Sequence, residues 1–314
     1  MEMIETNRIY NEPCLETVAR MPDNYLDCVI TSPPYWQLRD YGYEGQWGLE
    51  PTYQQYLEHL WSLMDAIYPK LKDGGTVWVN LGDTYNTKSG NMVQKEYSNT
   101  INTCMNNGVI DKDVYTKAKD VKNKTLLLIP HRFAIGCIDR GWIMRNDIIW
   151  AKRNGMPESV TDRFSKKHEY FFFMVKNEKY HFDLDSIRDK VIVPANGRSF
   201  GNNQSNGKKI RGEWNPKNQD LGKNPGSVSD FWDIPTRPSS EKHYASYNDS
   251  LIAKPILAGC PKGGVIYDPF MGTGSTAEAA IRAGRNFIGS EMSTDYCKIS
   301  NKRLQPFLMQ TTLF

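Results

Sequence analysis

Short apolar runs alternate along this chain with longer stretches in which apolar residues recur at helical spacing. Each run is followed by glycine, proline or a polar residue, where a strand is expected to end. The runs lie at residues 28–30, 76–81, 265–267 and 286–289. The helical stretches lie at residues 51–71, 126–141, 250–260, 277–284 and 295–304. Strands that alternate with helices are typical of a parallel sheet covered by helices, so the pattern predicts one large α/β domain.

Two further runs, residues 142–150 and 168–175, are rich in β-branched and aromatic residues. We expect them to pair with each other at the far side of the sheet. Before them, residues 86–124 are polar, rich in Asn and Lys, and lack sustained periodicity. We interpret that stretch as an insertion; the alternative is a loop that becomes ordered when a partner binds.

A third stretch differs from the rest of the chain. Between residues 182 and 233 the apolar periodicity fails, and Lys, Arg, Asn and Gly dominate. Charge of this kind is usually found on a solvated surface. We therefore expect a core that begins with residues 1–181 and resumes at 231–314, with a small irregular region at 182–230 between them.

The overall charge of the 314 residues is mildly basic, with a formal net charge of +3, and does not by itself indicate nucleic acid. The six cysteines include no CxxC pair and the five histidines show no metal-ligand spacing. Neither a metal site nor a disulfide framework is therefore predicted. The sequence shows no apolar run of bilayer-spanning length and no secretory signal, so we expect a cytoplasmic protein without a membrane partner.

The first stretch with chemical character is Thr-Ser-Pro-Pro-Tyr-Trp at residues 31–36, directly after the first apolar run. Two prolines end a strand, because proline donates no N–H and fixes φ, and the carbonyls beside them are left without strand partners. Rigid carbonyls next to an aromatic ring suit a planar base that bears an exocyclic amino group. The alternative is a Pro-Pro turn held by an aromatic residue.

The second such stretch, Asp-Pro-Phe-Met-Gly-Thr-Gly-Ser-Thr at residues 268–276, joins a strand run to a helical run. The next strand run is followed by Glu291, so the order is that of a βαβ unit closed by an acidic residue. Glycines in the first turn allow a ligand to approach the backbone, and the carboxylate suits a ribose diol. The spacing differs from GxGxxG, which makes a dinucleotide the weaker interpretation.

Together the two stretches resemble the amino-methylating DNA methyltransferases, which transfer a methyl group from S-adenosylmethionine to N4 of cytosine or N6 of adenine. Residues 31–36 look like the catalytic motif of that family, and residues 268–276 look like its cofactor loop. The catalytic motif comes first, as in the permuted group of the family called β. The resemblance implies a Rossmann-like methyltransferase fold with a doubly wound, mostly parallel sheet. It also implies a target-recognition region, which would be the irregular stretch at 182–230.

The resemblance assigns roles to individual residues. It implies a catalytic role for Ser32, Pro33, Pro34 and Tyr35. It implies cofactor contacts for Thr31, Asp268, Pro269, Phe270, Gly272, Gly274, Thr276, Glu291, Ser246 and Asn248, the last of which stands where the family usually has proline. Double-stranded DNA is the implied partner, together with a cognate restriction endonuclease that acts on the same DNA. The residues that we expect to contact DNA are Arg39, Lys208, Lys209 and Arg211.

The implied reaction is direct methyl transfer without a covalent enzyme intermediate. The amino nitrogen of a base is a poor nucleophile, because its lone pair is delocalised into the ring. Hydrogen bonds to Ser32 and to the Pro33 carbonyl are expected to draw this nitrogen toward tetrahedral geometry while Tyr35 stacks on the flipped ring. Serine at the first position of the motif looks like the N4-cytosine pattern, so we predict N4 of cytosine as the target; N6 of adenine is the alternative.

Three other functions explain only part of the sequence. A nicotinamide-dependent oxidoreductase would share the βαβ unit but leaves residues 31–36 unexplained. An RNA methyltransferase with a similar catalytic motif usually carries the cofactor loop first. A catalytically idle DNA-binding subunit would not need both motifs intact.

Three local features are interpreted from the residues alone. Residues 37–50, rich in Gly, Tyr and charge, are predicted to be a lid over the flipped base; the alternative is a plain connection. Cys14 is interpreted as a buried packing residue rather than a nucleophile. Asp83, which follows the strand run at 76–81, is either a site residue or a turn residue.

Overall fold

A computed structural model describes residues 4–86, 94–95, 118–155, 158–188, 228–235 and 249–311. Within these ranges the chain forms ten strands and six α-helices, with one 3₁₀ turn at Asp185–Ile187. The strands are β1 Arg8–Tyr10, β2 Leu26–Thr31, β3 Arg39–Asp40, β4 Leu71–Leu81, β5 Gln94–Lys95, β6 Ile143–Ala151, β7 His168–Val175, β8 Phe231–Asp233, β9 Val265–Asp268 and β10 Asn286–Ser290. The helices are α1 Cys14–Ala19, α2 Tyr53–Lys70, α3 Ile129–Asp139, α4 Asp249–Gly259, α5 Ser275–Arg282 and α6 Thr294–Thr311.

Eight of the described strands form one sheet in the order β1-β10-β9-β2-β4-β7-β6-β8. Neighbours pair in parallel except at β7, which runs antiparallel to both β4 and β6. The strand β2 lies between β9 and β4, although β9 comes much later in the chain. In such sheets ligands bind at the carboxyl ends of the strands, where the strand order reverses. The predicted doubly wound, mostly parallel sheet is confirmed, and so is the predicted pairing of β6 with β7.

Helices cover both faces of this sheet, because side chains alternate between the two faces of a strand. Val29 of β2 and Val77 of β4 pack in a buried cluster with residues of α1, α2 and α3. Ile30 and Trp78, their neighbours in the chain, pack in a second cluster with residues of α4, α5 and α6. The two hydrophobic cores hold the sheet rigid, and the site is built from the loops at its carboxyl edge.

The boundaries of α2 differ from the prediction at both ends. The Thr52 hydroxyl accepts a hydrogen bond from the backbone N–H of Gln55 at 3.2 Å, which makes Thr52 the N-cap. Pro51 therefore precedes the helix and does not lie in its first turn. After the helix, β4 begins at Leu71 and includes Lys72–Gly75, so this strand is longer than the predicted run at 76–81.

The helix α3 ends at Asp139, and Gly141 follows it with φ +91°, a conformation that favours glycine. Among the helices of the described ranges, none combines the length and the apolar character that crossing a bilayer requires. Most of the predicted target-recognition region, residues 182–230, lies outside the described residues. The division of the chain into three parts therefore stays a prediction.

Candidate active site

The two sequence motifs meet at the carboxyl edge of the sheet. The strand β2 ends at Thr31 and β9 ends at Asp268, and these two strands are parallel neighbours. The Thr31 hydroxyl donates a hydrogen bond to Asp268 Oδ1 at 2.9 Å, although the residues lie 237 positions apart in sequence. Residues 31–36, the catalytic loop, and residues 268–276, the glycine-rich loop, therefore form one site.

The carboxylate of Asp268 connects these two loops, and the residue is only 1% exposed. Besides Thr31, it accepts hydrogen bonds from the Phe270 backbone N–H at 3.0 Å and from the Thr276 hydroxyl at 2.6 Å. Burial raises the Asp268 pKa to about 6, despite the lowering effect of these hydrogen bonds. In this structure Asp268, Thr31 and Thr276 hold the two loops together, and their predicted contact with the cofactor stays a prediction.

Glu291 directly follows β10 and faces the glycine-rich loop. Its Oε2 accepts the backbone N–H of Gly272 at 2.8 Å, and its Oε1 accepts that of Ser293 at 2.7 Å. Burial raises the Glu291 pKa to about 7, and the nearby Asp268 carboxylate acts in the same direction. Because a carboxylate oxygen has more than one lone pair, both oxygens can also accept hydrogen bonds from the two hydroxyls of a ribose.

A cavity of about 240 Å³ opens between the two loops. Its walls come from the catalytic loop, the glycine-rich loop, the turn after β10, the start of α1 and residues 37–50. The lining residues are Pro13, Cys14, Leu15, Ser32, Pro34, Tyr41, Tyr43, Gly45, Trp47, Pro269, Phe270, Gly272, Thr273, Ser290, Glu291, Met292 and Tyr296. Ser32 and Glu291 thus line the same cavity, which places the catalytic loop beside the predicted ribose site.

Two glycines of the glycine-rich loop have different roles. Gly272 lines the cavity with φ +56°, and a Cβ added there would meet no atom closer than 4.0 Å, so the space beside it is open to a ligand. Gly274 has φ +83°, and an added Cβ would lie 2.9 Å from Cβ of Ser300 on α6. Gly274 therefore permits the close packing of α6, whereas Gly272 keeps the cavity open.

Residues 37–50 form an aromatic wall of this cavity. Tyr41, Tyr43 and Trp47 line it. The ring of Trp47 lies 5.3 Å from that of Phe270, and the ring of Tyr41 lies 6.4 Å from that of Tyr296. The segment thus helps to enclose the cavity that Ser32 and Glu291 also line, and its role as a lid over the flipped base stays a prediction. Sequence reasoning missed this wall, although the density of Tyr and Trp directly after the catalytic motif was a signal for it.

Hydrogen bonds from the core fix the backbone and the flanks of the catalytic loop. The Tyr56 hydroxyl on α2 donates to the Pro34 carbonyl at 2.8 Å. The Trp36 indole N–H donates to the Glu50 carbonyl at 3.0 Å, and both side chains are buried. The loop therefore leaves the sheet in one defined direction, as the two prolines predict.

Polar side chains from neighbouring strands contact the catalytic loop in a way that no motif predicted. The Ser32 hydroxyl donates to Asn80 Oδ1 on β4 at 3.4 Å. The Tyr35 hydroxyl lies 3.0 Å from the same oxygen and 2.8 Å from Glu169 Oε2 on β7. Two of the predicted catalytic side chains are thereby linked through Asn80.

The structure decides two features that the residues left open. Cys14 is buried, and burial raises its pKa to about 12, which favours the protonated thiol and supports the interpretation as a packing residue. Asp83 Oδ1 accepts the backbone N–H groups of Thr84 at 2.8 Å and Ile129 at 3.1 Å. Asp83 thus stabilises the turn and the start of α3, as the turn interpretation predicts.

The other predicted binding residues are only partly described. Arg39 lies in β3, which pairs in parallel with β5 in a small separate sheet, and its contact with DNA stays a prediction. Five predicted residues lie outside the described residues: Lys208, Lys209, Arg211, Ser246 and Asn248.

Similar proteins show what class of site this is. A family model described as DNA methylase matches residues 26–302 of the chain. The type II methyltransferase M.SmaI from Serratia marcescens is 34% identical over 289 residues, which cover 92% of this chain and 87% of that protein. The type II methyltransferase M.Cfr9I from Citrobacter freundii is 31% identical over 306 residues, which cover 97% of this chain and 90% of that protein.

Solved structures share the fold. The PvuII DNA methyltransferase, described as cytosine-N4-specific, superposes with a TM-score of 0.63 at 16% identity, over 98% of this chain and 93% of that one. The complex of M1.HpyAVI with SAM superposes with a TM-score of 0.53 at 17% identity, over 95% of this chain and 98% of that one. The buried Glu291 carboxylate and the aromatic wall fit the ribose and adenine of such a nucleoside cofactor. The chain belongs to the DNA methylase family, and its cofactor is S-adenosylmethionine.

Proposed function

We propose that this protein methylates N4 of cytosine in double-stranded DNA, with the catalytic loop as the base-binding site. The observation that carries the proposal is Ser32, a neutral hydroxyl at the first position of the motif and in the wall of the cofactor cavity. In place of its 3.4 Å contact with Asn80 Oδ1, the Ser32 hydroxyl would donate to N3 of cytosine while the Pro33 carbonyl accepts an amino proton, whereas an ionised carboxylate at position 32 could only accept.

The described contacts support this use of the loop. The Thr31–Asp268 bond fixes the end of β2, and the Tyr56 hydroxyl holds the Pro34 carbonyl. These two bonds flank Pro33 and would hold its carbonyl beside Ser32, which is the arrangement that an exocyclic amino group requires. Rigid acceptors of this kind lower the reaction barrier by positioning, without reorganisation during the reaction.

The cofactor side of the proposal rests on the cavity. S-adenosylmethionine supplies the methyl group from its sulfonium when bound. Glu291 would hold the ribose hydroxyls, and Tyr41, Trp47 and Phe270 would pack against the adenine. Ser32 lines the same cavity, so the methyl donor and the amino acceptor would meet without an intervening enzyme nucleophile.

Duplex DNA hides the amino group of a cytosine inside the base stack, so we propose that the target base is flipped into the catalytic loop. The ring of Tyr35, which is half-buried, would stack on it. Choice of sequence would come from the target-recognition region at residues 182–230, including the basic residues Lys208, Lys209 and Arg211.

The experiment that tests the proposal is nucleoside analysis of the methylated product. The protein is incubated with S-adenosylmethionine and unmodified duplex DNA of mixed sequence, and the digested DNA is examined by mass spectrometry. N4-methylcytosine without N6-methyladenine is expected. Ser32→Ala is expected to form much less product than Ser62→Ala, a matched change at an exposed serine of α2. N6-methyladenine without N4-methylcytosine would show that adenine is the target.

We also propose a cognate restriction endonuclease as a functional partner, because M.SmaI and M.Cfr9I are type II methyltransferases. Such an enzyme would cleave the sequence that this protein modifies. An extract of the source cells should cut unmodified DNA at defined sites and leave DNA intact after treatment with this protein and its cofactor. Equal cleavage of treated and untreated DNA would contradict the partnership.

A further inference from the structure

The hydroxyl of Tyr35 lies between two polar side chains from neighbouring strands. It lies 2.8 Å from Glu169 Oε2 and 3.0 Å from Asn80 Oδ1. The Asn80 amide N–H₂ donates to the Tyr170 carbonyl at 2.9 Å, which turns its oxygen toward Tyr35. A phenol has one proton to donate, and a carboxylate forms stronger hydrogen bonds than an amide oxygen. The bond to Glu169 is therefore the stronger tether of Tyr35.

A second constraint on Tyr35 comes from Gly82, which directly follows β4. A Cβ added at Gly82 would lie 2.6 Å from Cε2 and 2.9 Å from Cδ2 of the Tyr35 ring, so the ring edge packs directly on the glycine. The ring is thus held by packing along one edge and by hydrogen bonds at its hydroxyl. If the Tyr35 ring served only to fill space, packing against Gly82 would be enough, and the hydrogen bonds at its hydroxyl would not be needed.

Lys152 balances the charge of Glu169. The two side chains form an ion pair and are only 20% and 16% exposed, respectively. The ammonium of Lys152 also lies 4.1 Å from the centre of the Trp150 ring. A largely buried ion pair loses in desolvation much of what it gains in attraction, so it contributes little to stability. Its placement against Tyr35 is better explained by orientation of the tyrosine than by stabilisation of the sheet.

We propose that Glu169 is a positioning residue for methyl transfer: it holds Tyr35 through the phenol hydroxyl, so that the stacking ring is already oriented when the target base enters. Lys152 keeps the carboxylate in place, and Asn80 links the same network to Ser32. The inference rests on the proposed function, because it assigns Tyr35 to the base. It adds a residue from β7 that lies outside both sequence motifs.

A double-mutant cycle between Tyr35→Phe and Glu169→Gln tests the inference. Tyr35→Phe keeps the ring and removes only the hydroxyl, and Glu169→Gln keeps the size of the side chain and removes its charge. The matched control is Glu158→Gln, which breaks a comparable ion pair with Arg163 in the loop between β6 and β7. Methyl transfer from labelled S-adenosylmethionine to unmodified duplex DNA gives kcat and KM, calorimetry gives cofactor affinity, and thermal denaturation gives Tm.

Each single change is expected to lower kcat about tenfold or more, the size of one hydrogen bond to a charged group. The double variant is expected to lose no more than the larger single loss, because both changes break the same contact. Cofactor affinity is expected to stay within about twofold of the wild-type value, since neither side chain lines the cofactor cavity. Glu158→Gln should leave kcat unchanged.

Three results would overturn the inference: an unchanged kcat in either single variant, losses that multiply in the double variant, or an equal loss in Glu158→Gln. If Glu169→Gln did not fold, the Tyr35→Phe variant would test the inference alone. An unchanged kcat in Tyr35→Phe would then show that the hydrogen bond between Tyr35 and Glu169 does not position the ring. Ser32→Ala separates this inference from the proposed function. Loss of transfer in Ser32→Ala with a normal Glu169→Gln rejects only the inference, whereas normal transfer in Ser32→Ala rejects the proposed role of the catalytic loop.

Discussion

Substitution of Gly82 by alanine should disable the enzyme through the ring of Tyr35. The added Cβ would lie 2.6 Å from Cε2, 2.9 Å from Cδ2 and 3.3 Å from Cζ of that ring. Carbon atoms in contact prefer separations of about 3.5–4.0 Å, so the ring has to retreat by about 1 Å. Such a shift would also stretch the hydrogen bond from the Tyr35 hydroxyl to Glu169, which is 2.8 Å long.

The two expected consequences differ in size. A displacement of about 1 Å at a reacting centre can cost about a hundredfold in rate, so we expect kcat to fall by that order. Overpacking of a closed core costs about 1–3 kcal/mol, and the cost here should be at the low end, because half-buried Tyr35 can swing outward. Gly82→Ala should therefore remain folded, bind S-adenosylmethionine normally and transfer methyl groups poorly.

Steady-state methyl transfer to unmodified duplex DNA measures the effect, with thermal denaturation and cofactor calorimetry on the same samples. Gly74→Ala, within the strand β4 that Gly82 directly follows, is the matched control, because its added Cβ would meet no atom closer than 3.8 Å. A Gly82→Ala enzyme with the kcat of the Gly74→Ala enzyme would refute the conclusion that the orientation of Tyr35 limits the reaction.

Three further predictions concern the cofactor and DNA. The Glu291 pKa of about 7 predicts that affinity for S-adenosylmethionine rises as pH increases through 7, since the ionised carboxylate accepts the ribose hydroxyls better; calorimetry should show no such rise in Glu291→Gln. Gly272→Val should abolish cofactor binding, because a β-branched residue is strained at φ +56° and fills the cavity, and unchanged affinity would remove Gly272 from the site. Neutralising Lys208, Lys209 and Arg211 together should weaken DNA binding and reduce the slope of log affinity against log salt by about 0.9 per lost phosphate contact; an unchanged slope and affinity would identify a solvated loop.

Much of the fold could be predicted from the sequence because its signals are local. The strands β2, β9 and β10 contain short apolar runs that are followed by polar residues, and each strand lies where its run predicted it. Parallel pairing of β2 with β9 brings their carboxyl ends together whatever lies between them in sequence. The meeting of the two motifs in one site therefore followed from the fold class.

The contacts of the catalytic loop could not be predicted in the same way. Glu169 reaches Tyr35 only because β7 is inserted antiparallel beside β4, and no local pattern in the sequence specifies that insertion. The motif predicts that Asp268 contacts the cofactor, but it does not predict the three hydrogen bonds by which Asp268 ties the two loops together. The role of Tyr41 in the cavity wall depends on the course of a loop without periodicity, which hydrophobic patterning does not determine.

A single-turnover experiment tests direct transfer to cytosine most directly. The protein is loaded with S-adenosylmethionine labelled in its methyl group, mixed with excess unmodified duplex DNA and unlabelled cofactor, and quenched within one turnover. The cavity shared by Ser32 and Glu291 predicts that the labelled methyl group passes directly to DNA and is recovered as N4-methylcytosine, with none attached covalently to the protein. Label attached covalently to the protein, or recovery of all the DNA label as N6-methyladenine, would contradict that prediction.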